Sequence, residues 1–541
     1  MTGARTPPDW PTVDLVAHRV RTTPDRTAVV DADTEETWTY RELDRRVDAL
    51  AAGLLSETDL ERGSDARVGV LLHTSPAFAT LCFAAMRIGL SLVPLNVRET
   101  PTELESKVER TDPALLVCEP STAGLAAELV AETETDLPIR SLESAGDGRV
   151  EEHDERQRGS KKEDVVHHVE PLVDPTATTR EAPDSVTLDR STTQFVLFTS
   201  GTSGEPKGVR LTVGNLVASA TASAFRLGVS PADRWLCCLP MYHMGGLAPV
   251  IRSALYGTAV VVQREFDPEA TARVVGEYDI TGVSLVPTML ERLLEADWSP
   301  PESLRFVLLG GAPATEDLLE RCDRAGVPAY PTYGMTETAS QIATATPDVR
   351  TTAPGTVGQP LAFADVSIVD NDGARLESGH RGELVVDGPM VTPGYLEDAR
   401  TEAAFGLHGL HTGDVGYRDE NGFLWVVGRL DDRIVSGGEN VDPSEVAAVL
   451  ESQSGVRRAA VVGLPDEEWG ERVAALLVPE DPSAPPTVER LLDHCTDDLA
   501  GFKRPKTVTV VEDETLPRTP SGTVDREAVR ELIERNGRDV P

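Results

Sequence analysis

The strongest constraint on this chain is its repeated alternation of short apolar runs with stretches of helical spacing. Val68-Gly-Val-Leu-Leu72 reads as a buried strand, Phe78 to Ile88 as an apolar helix, and Leu92-Val-Pro-Leu95 as the next strand. Upstream, Trp38-Thr-Tyr-Arg-Glu-Leu43 leads into Val47, Leu50, Leu54 and Leu55, a helical spacing for which Thr39 is the expected N-cap. Val283-Ser-Leu-Val-Pro-Thr-Met-Leu290 and Phe306-Val-Leu-Leu-Gly-Gly-Ala-Pro313 continue the pattern, the second as a buried strand that ends in a glycine turn. Alternation of this kind implies parallel α/β layers, in which crossover helices cover the faces of the sheet. At 541 residues the chain exceeds one ordinary core and is expected to divide into two or more domains.

The pattern lapses between residues 145 and 190. Glu151-Glu-His-Asp-Glu-Arg-Gln-Arg158 and Lys161-Lys-Glu-Asp164 are charged and poor in aromatics, which reads as an acidic, mobile insertion. Nothing in the spacing of His153, His167 and His168 fixes a metal geometry, so they read as solvated loop. Asp and Glu number 90 against 51 Lys and Arg, a formal charge of −39. Such a surface repels nucleic acid and anionic membranes, so neither is an expected partner. Lysine occurs only at positions 107, 161, 162, 207, 503 and 506. An acid-rich, lysine-poor composition resembles that of proteins from salt-accumulating halophiles, where carboxylates keep the protein hydrated and salt screens their repulsion. Cysteines 82, 118, 237, 238, 322 and 495 show no metal or disulfide spacing and read as reduced, mostly buried thiols. The first residues lack the apolar core of a signal peptide, and no apolar run approaches the roughly 20 residues that span a bilayer, so a soluble, cytoplasmic protein is expected. Oligomeric state stays open.

One stretch carries chemistry outright. Thr199-Ser-Gly-Thr-Ser-Gly-Glu-Pro-Lys-Gly208 follows the apolar run Phe195-Val-Leu-Phe198 and should emerge as a loop at a strand end. Glycines let backbone N–H groups approach an anion, hydroxyls add donors, and Lys207 supplies a point charge. The Walker A order fails, because Lys207 lies between Pro206 and Gly208 rather than in Gly-Lys-Ser/Thr at a helix start. A polar turn is the alternative for this loop alone.

The stretch resembles the signature loop of the adenylate-forming enzymes, the superfamily of acyl-CoA synthetases, luciferases and peptide-synthetase adenylation domains. The resemblance implies that Thr199, Ser200, Gly201, Thr202, Ser203 and Gly204 hold the β- and γ-phosphates of ATP. Further motifs follow in the family's order. Tyr333-Gly-Met-Thr-Glu-Thr338 offers a stacking face for adenine in Tyr333, backbone approach at Gly334 and Met335, a donor for the α-phosphate in Thr336, and a hard oxygen ligand for Mg2+ in Glu337. The turn Gly311, Ala312 and Pro313 resembles the adenine-contacting element, with Gly310 just before it in the acyl pocket. Asp414, in Leu410-His-Thr-Gly-Asp414, would accept from the ribose hydroxyls, although an Asp after Thr-Gly is commonly a turn former. In the family the residue matching His243 lines the acyl pocket. Arg429 matches a ribose contact, Asp431 the hinge of a small C-terminal domain, and Gly437 and Gly438 the tunnel through which the CoA thiol arrives. The fold class so implied is α/β, with a large N-terminal domain of layered subdomains over 1–428, a hinge at 429–431 and a mobile α+β lid over 432–541, built from alternating short β and α patterns.

The implied reaction is formation of an acyl-adenylate and then an acyl-CoA thioester, with ATP, Mg2+ and coenzyme A as cosubstrates and a small carboxylic acid as partner. Bringing a carboxylate against the α-phosphate sets anion against anion, so cations are the central requirement. Most of the family carries a second lysine in a Ser-Gly-Lys stretch near the C-terminus. Here the stretch is Leu516-Pro-Arg-Thr-Pro-Ser-Gly-Thr-Val-Asp-Arg526, and Thr523 stands at the lysine's position. Three readings compete: Lys503, Lys506 or Arg518 substitutes for it, Thr523 with Mg2+ suffices at reduced rate, or adenylation is lost and a nucleotide-binding homologue remains. Several stretches look most like the o-succinylbenzoate-CoA ligases of menaquinone biosynthesis: Leu239-Pro-Met-Tyr-His-Met-Gly-Gly-Leu247, Val286-Pro-Thr-Met-Leu290, Leu308-Leu-Gly-Gly-Ala-Pro313 and Tyr333 through Ile342. Ser340 and Gln341 would put polar groups at the pocket floor, which suits an acid with a second carboxylate. Medium-chain fatty or aryl acids are the alternative.

Overall fold

Two large sheets share one buried helix. The computed structural model describes residues 13–56, 60–133, 137–142, 172, 183, 185–199, 206–296, 298–430, 434–436, 439–441, 443–466, 469–499, 501–511, 515–518 and 524–539. Ser200, Gly201, Thr202, Ser203, Gly204, Asp431, Gly437, Gly438 and Thr523 lie outside the described residues, as do most of 145–190 and its three histidines.

The first sheet has nine strands. In spatial order they are Gln359–Pro360, Ser340–Thr344, Ala329–Met335, Phe306–Leu309, Gly282–Leu285, Arg234–Cys237, Ala259–Val262, Thr27–Asp31 and Thr37–Thr39. The second has six, ordered Ile139–Ser141, Leu115–Cys118, Arg67–Leu71, Ser91–Pro94, Thr193–Thr199 and Lys207–Thr212. Both are parallel through their centres and antiparallel at an edge. Helix Pro76–Ile88 packs between them, against Ser91–Pro94 and Thr27–Asp31. Every residue from Phe78 to Ile88 is buried, as expected of a helix that is apolar all round. Its ends are set locally: the Ser75 hydroxyl accepts from Phe78 N, Pro76 occupies the first turn, and Gly89 closes the C-terminus in the left-handed region. Thr39 caps helix Tyr40–Ser56 through a reciprocal pair with Glu42, as the sequence leads one to expect.

A five-stranded antiparallel sheet follows, formed by Asp365–Val369, Gly382–Asp387, Gly409–Arg418, Phe405–Gly406 and Leu424–Arg429. The small C-terminal domain is built on a further sheet. Its centre is a long antiparallel pair, Val456–Asp466 with Gly470–Pro479, strands of 11 and 10 residues, not short ones. Both faces are covered, one by helices Pro443–Ser452 and Val488–Asp498 and the other by Arg526–Asn536, which accounts for the continuous apolar run Val473 to Val478. The Arg458 Nη2 and Glu291 Oε1 atoms, 3.0 Å apart, link this domain to the body. All six cysteines are buried free thiols. Among the described residues no helix is long and apolar enough to cross a membrane.

Candidate active site

The glycine and hydroxyl loop joins two hydrogen-bonded strands. Thr193–Thr199 pairs antiparallel with Lys207–Thr212, and Lys207 sits opposite Thr199. A hairpin rather than a strand-to-helix turn therefore carries the lysine, in keeping with the failed Walker order. Lys207 makes no ion pair with any described residue, and its Nζ lies 5.7 Å from the centroid of the Tyr395 ring.

Tyr333 and Gly334 end the strand Ala329–Met335, Thr336 and Glu337 form a single 3₁₀ turn, and Ser340–Thr344 returns antiparallel. Closing this hairpin needs Gly334, because a Cβ there would lie 1.7 Å from the Ser340 carbonyl oxygen. Ala339 and Ser340 take positive φ of 50° and 127°, a strain that commonly marks functional turns. Glu337 is only 5% exposed. Burial pushes its carboxyl above the usual range, against its own backbone hydrogen bond, the Tyr395 hydroxyl and the charges of Lys207 and Arg429. The Tyr395 hydroxyl donates to Glu337 Oε1 at 2.9 Å, and Thr392 N donates to the Glu337 carbonyl at 2.7 Å.

Asp414 is no turn former: it lies within the strand Gly409–Arg418, directly across from Arg429. Its Oδ1 accepts from Arg429 Nη1 at 3.0 Å and its Oδ2 from the Tyr333 hydroxyl at 2.6 Å. Burial first, then the Asp414 charge, hold the Tyr333 hydroxyl well above its ordinary pKa, so it remains a donor. Tyr333, Asp414 and Arg429 thus form one network. Gly310, Gly311, Ala312 and Pro313 form the turn between strand Phe306–Leu309 and helix Glu316–Ala325. Like Tyr333, they lie at the C-terminal end of a parallel strand of the nine-stranded sheet, where open α/β sheets bind ligands.

His243 follows the strand Arg234–Cys237, two along from Phe306–Leu309 in the same sheet, and stands at the N-cap position of helix Met244–Tyr256. Protein surrounds it on most sides, yet its side chain stays open to solvent. Loss of hydration first, then the charges of Lys107 and Arg98, push its pKa down to about 4, so it is neutral near pH 7. Farther along this helix Arg252 is 2% exposed. Its Nη2 donates to Gln341 Oε1 at 2.9 Å and to Ser340 Oγ at 3.2 Å, and its guanidinium lies 5.1 Å from the Trp235 ring centroid. No described carboxylate pairs with it, and burial lowers its pKa. Ser340, half-buried, accepts from Arg252, so its own proton can be offered to an anion.

The candidate replacement cations differ. Lys503 Nζ lies 2.7 Å from both carboxylate oxygens of Glu445. Lys506 has no ion pair with any described residue, and its Nζ lies 5.5 Å from the Trp469 ring centroid. Arg518 pairs with Val524 as an isolated β-bridge.

Reading the sequence missed Arg252 and Tyr395. Arg252 left a trace, the lone charge in the apolar helix run Leu247-Ala-Pro-Val-Ile-Arg-Ser-Ala-Leu255. Tyr395 left none, since its partner Glu337 is 58 positions away.

The chain matches the AMP-binding enzyme family over residues 16–396 and the AMP-binding enzyme C-terminal domain over residues 445–523. It is 35% identical over 525 residues to the 2-succinylbenzoate–CoA ligase of Bacillus pumilus, with 97% of each chain covered. It is 36% identical over 534 residues to that of Bacillus cereus, covering 98% of this chain and 99% of the relative. Among solved structures, o-succinylbenzoate CoA synthetase from Bacillus subtilis in complex with the acyl-adenylate intermediate OSB-AMP superposes with a TM-score of 0.81 at 31% identity, covering 96% of this chain and 98% of that one. ATP-bound MatB from Rhodopseudomonas palustris superposes with a TM-score of 0.84 at 28% identity over 97% and 99% of the two chains. On this evidence the chain belongs to the AMP-binding enzyme family.

Proposed function

We propose that the protein is an AMP-forming acid–CoA ligase whose acid is 2-succinylbenzoate, serving menaquinone biosynthesis. The observation that carries the choice of acid is Arg252, a buried guanidinium without a carboxylate partner among the described residues. Burying an uncompensated charge is costly, and the site can recover that cost when an anion arrives. Arg252 and Ser340 together make a pocket floor that favours an acid with two carboxylates, one activated and the other held. A fatty chain offers the guanidinium nothing, which weighs against the medium-chain alternative.

In the first step an oxygen of the substrate carboxylate attacks the α-phosphorus of ATP and the bond to pyrophosphate breaks. Lys207 neutralises the departing β- and γ-phosphates, the loop 199–204 cradles them, and Thr336 donates to the α-phosphate. Asp414 and Arg429 hold the ribose, while Tyr333 and the turn Gly311–Pro313 flank the adenine. Glu337 fits a magnesium site: it is a single buried hard oxygen ligand, and Mg2+ commonly takes one or two carboxylates plus substrate phosphates. Bound there, Mg2+ supplies neutralisation of the phosphate charge. In the second step the CoA sulfur attacks the acyl carbon, its proton is released and AMP departs. Rotation about Asp431 and passage of the thiol past Gly437 and Gly438 belong to the proposal on resemblance alone, as do the boundaries at 428 and 432.

For the position of Thr523 we favour Lys506 over Lys503, because Glu445 already neutralises Lys503. The excess of acidic residues supports work at high salt, in the cytoplasm of a halophile. The test is pyrophosphate release from MgATP in concentrated KCl with 2-succinylbenzoate, octanoate or benzoate. Selective release with the first is expected. Release with only the other two would overturn the choice of acid, and release with none would overturn adenylation.

A further inference from the structure

Lys207 and Glu337 present a problem of electrostatics. A lysine and a glutamate in direct contact neutralise each other, leaving little charge for a phosphate or a cation. Here they do not pair. Between them stands Tyr395, 3% exposed, whose hydroxyl donates to Glu337 Oε1 at 2.9 Å while Lys207 Nζ lies 5.7 Å from its ring centroid, within the range of a cation–π contact. A phenol in this place serves both charges and cancels neither.

The segment that carries Tyr395 is tied to the same two elements by its backbone. Tyr395 bridges Val209, Leu396 N donates to the Gly208 carbonyl at 2.9 Å, and Arg210 N donates to the Gly394 carbonyl at 3.1 Å. Residues 394–396 therefore lie along the strand that begins at Lys207. Thr392 N holds the Glu337 carbonyl, so the segment grips the lysine strand and the glutamate turn together. Two side chains steady it from behind. Thr401 Oγ1 accepts from Tyr395 N at 2.9 Å, and Arg110 bonds both Glu397 Oε1, at 2.8 Å through Nε, and the Pro206 carbonyl, at 2.7 Å through Nη1.

We propose that Tyr395 is a positioning residue for adenylate formation, one that sets the Glu337 carboxylate and the Lys207 ammonium at a fixed separation and keeps both charges available to the triphosphate and its cation. The inference rests on the ligase reading above. It predicts that the phenol hydroxyl acts through cation-linked binding of the outer phosphates, and that the ring acts through Lys207.

The experiment is calorimetric titration of the full chain with ATP in the presence and absence of Mg2+, and with AMP, alongside kcat and KM for pyrophosphate release. Tyr395→Phe keeps the ring and removes the hydroxyl. It should reduce the Mg2+-dependent gain in ATP affinity by about tenfold, the typical worth of a hydrogen bond to a charged group, and leave AMP affinity within about twofold. Tyr395→Leu should in addition weaken metal-free ATP by roughly threefold or more, through loss of the lysine contact. Thr401→Ala, which loosens Tyr395 without touching the cleft, should move the same ratio in the same direction by about threefold, and it serves as the test should Tyr395→Phe not fold. An unshifted ratio in Tyr395→Phe, or an equal loss of AMP affinity, would overturn the assignment while sparing the ligase reading. Failure of the unmodified chain to bind MgATP would overturn both.

Discussion

Two arginines in this molecule are equally buried, at 2% exposure, and are used in opposite ways. Arg87, in helix Pro76–Ile88, is surrounded by acids: Nε and Nη2 reach the two oxygens of Asp14 at 3.0 Å each, Nη2 reaches Asp44 at 2.6 Å and Nη1 reaches Asp48 at 2.5 Å. Burial alone would lower its pKa, but the Asp14 hydrogen bonds and charge, reinforced by Asp44, raise it. Among the described residues Arg252 meets an amide, a hydroxyl and an indole face but no carboxylate, and burial lowers its pKa. The first arginine is complete within the fold and ties three helices together. The second has no carboxylate partner among the described residues, which is why the proposal gives it to the acid's second carboxylate.

The largest effect should come from breaking the completed site. Arg87→Met leaves buried aspartates without their cation and should cost about 3–5 kcal/mol, read as a lower urea midpoint at fixed salt. Arg252→Met removes a charge that no described carboxylate offsets and should cost far less in the same assay; an equal loss would erase the distinction. Next comes the C-terminal domain, where completeness again separates two residues. Lys506→Ala should slow pyrophosphate release by roughly 10²- to 10³-fold, whereas Lys503→Ala, whose charge Glu445 already absorbs, should change it much less. Equal rates in both variants and the unmodified chain would reject either lysine as the substitute.

A third completed cluster sharpens the comparison through pH. Burial would raise the Glu119 pKa, but hydrogen bonds from His73 and Ser121 and the Arg264 charge outweigh it and hold the carboxyl at about 2. A depressed carboxylate stabilises the fold fully above its unfolded pKa near 4.5 and loses that contribution as pH falls toward 2. The stability gap between the unmodified chain and Glu119→Gln should therefore be about 3 kcal/mol above pH 5 and close between pH 4.5 and 2. A gap that stays constant with pH would contradict the assignment of the shift.

What the sequence made legible is what local chemistry dictates. Apolar runs such as Val68–Leu72 must be buried, Thr39 finds its cap partner Glu42 three residues away, and Gly334 stands in the turn whose closure requires it. The long C-terminal hairpin was harder to see, because Val473 to Val478 is apolar on both faces and shows no alternation. For Asp414 the local Thr-Gly-Asp pattern alone favours a turn, and only its place in the motif series argues for a ligand; its position across a strand from Arg429 is not written locally. The two missed residues share one cause. What distinguishes Arg252 from Arg87 is the identity of neighbours distant in sequence, Ser340 and Gln341 against Asp14, Asp44 and Asp48, and no local pattern records it. The same holds for Tyr395 and Glu337, which meet only after the strand at Lys207 has gathered both.

The most direct test of the central claim is the ratio of kcat/KM for 2-succinylbenzoate to that for 4-oxo-4-phenylbutanoate, which lacks the ring carboxylate, measured in the unmodified chain and in Arg252→Met. The account predicts that the ratio falls by about 10- to 100-fold in the variant, the worth of a charge-assisted interaction with the second carboxylate, while the rate with the analogue is preserved. An unchanged ratio, with both acids slowed alike, would mean that Arg252 shapes the pocket without reading the acid.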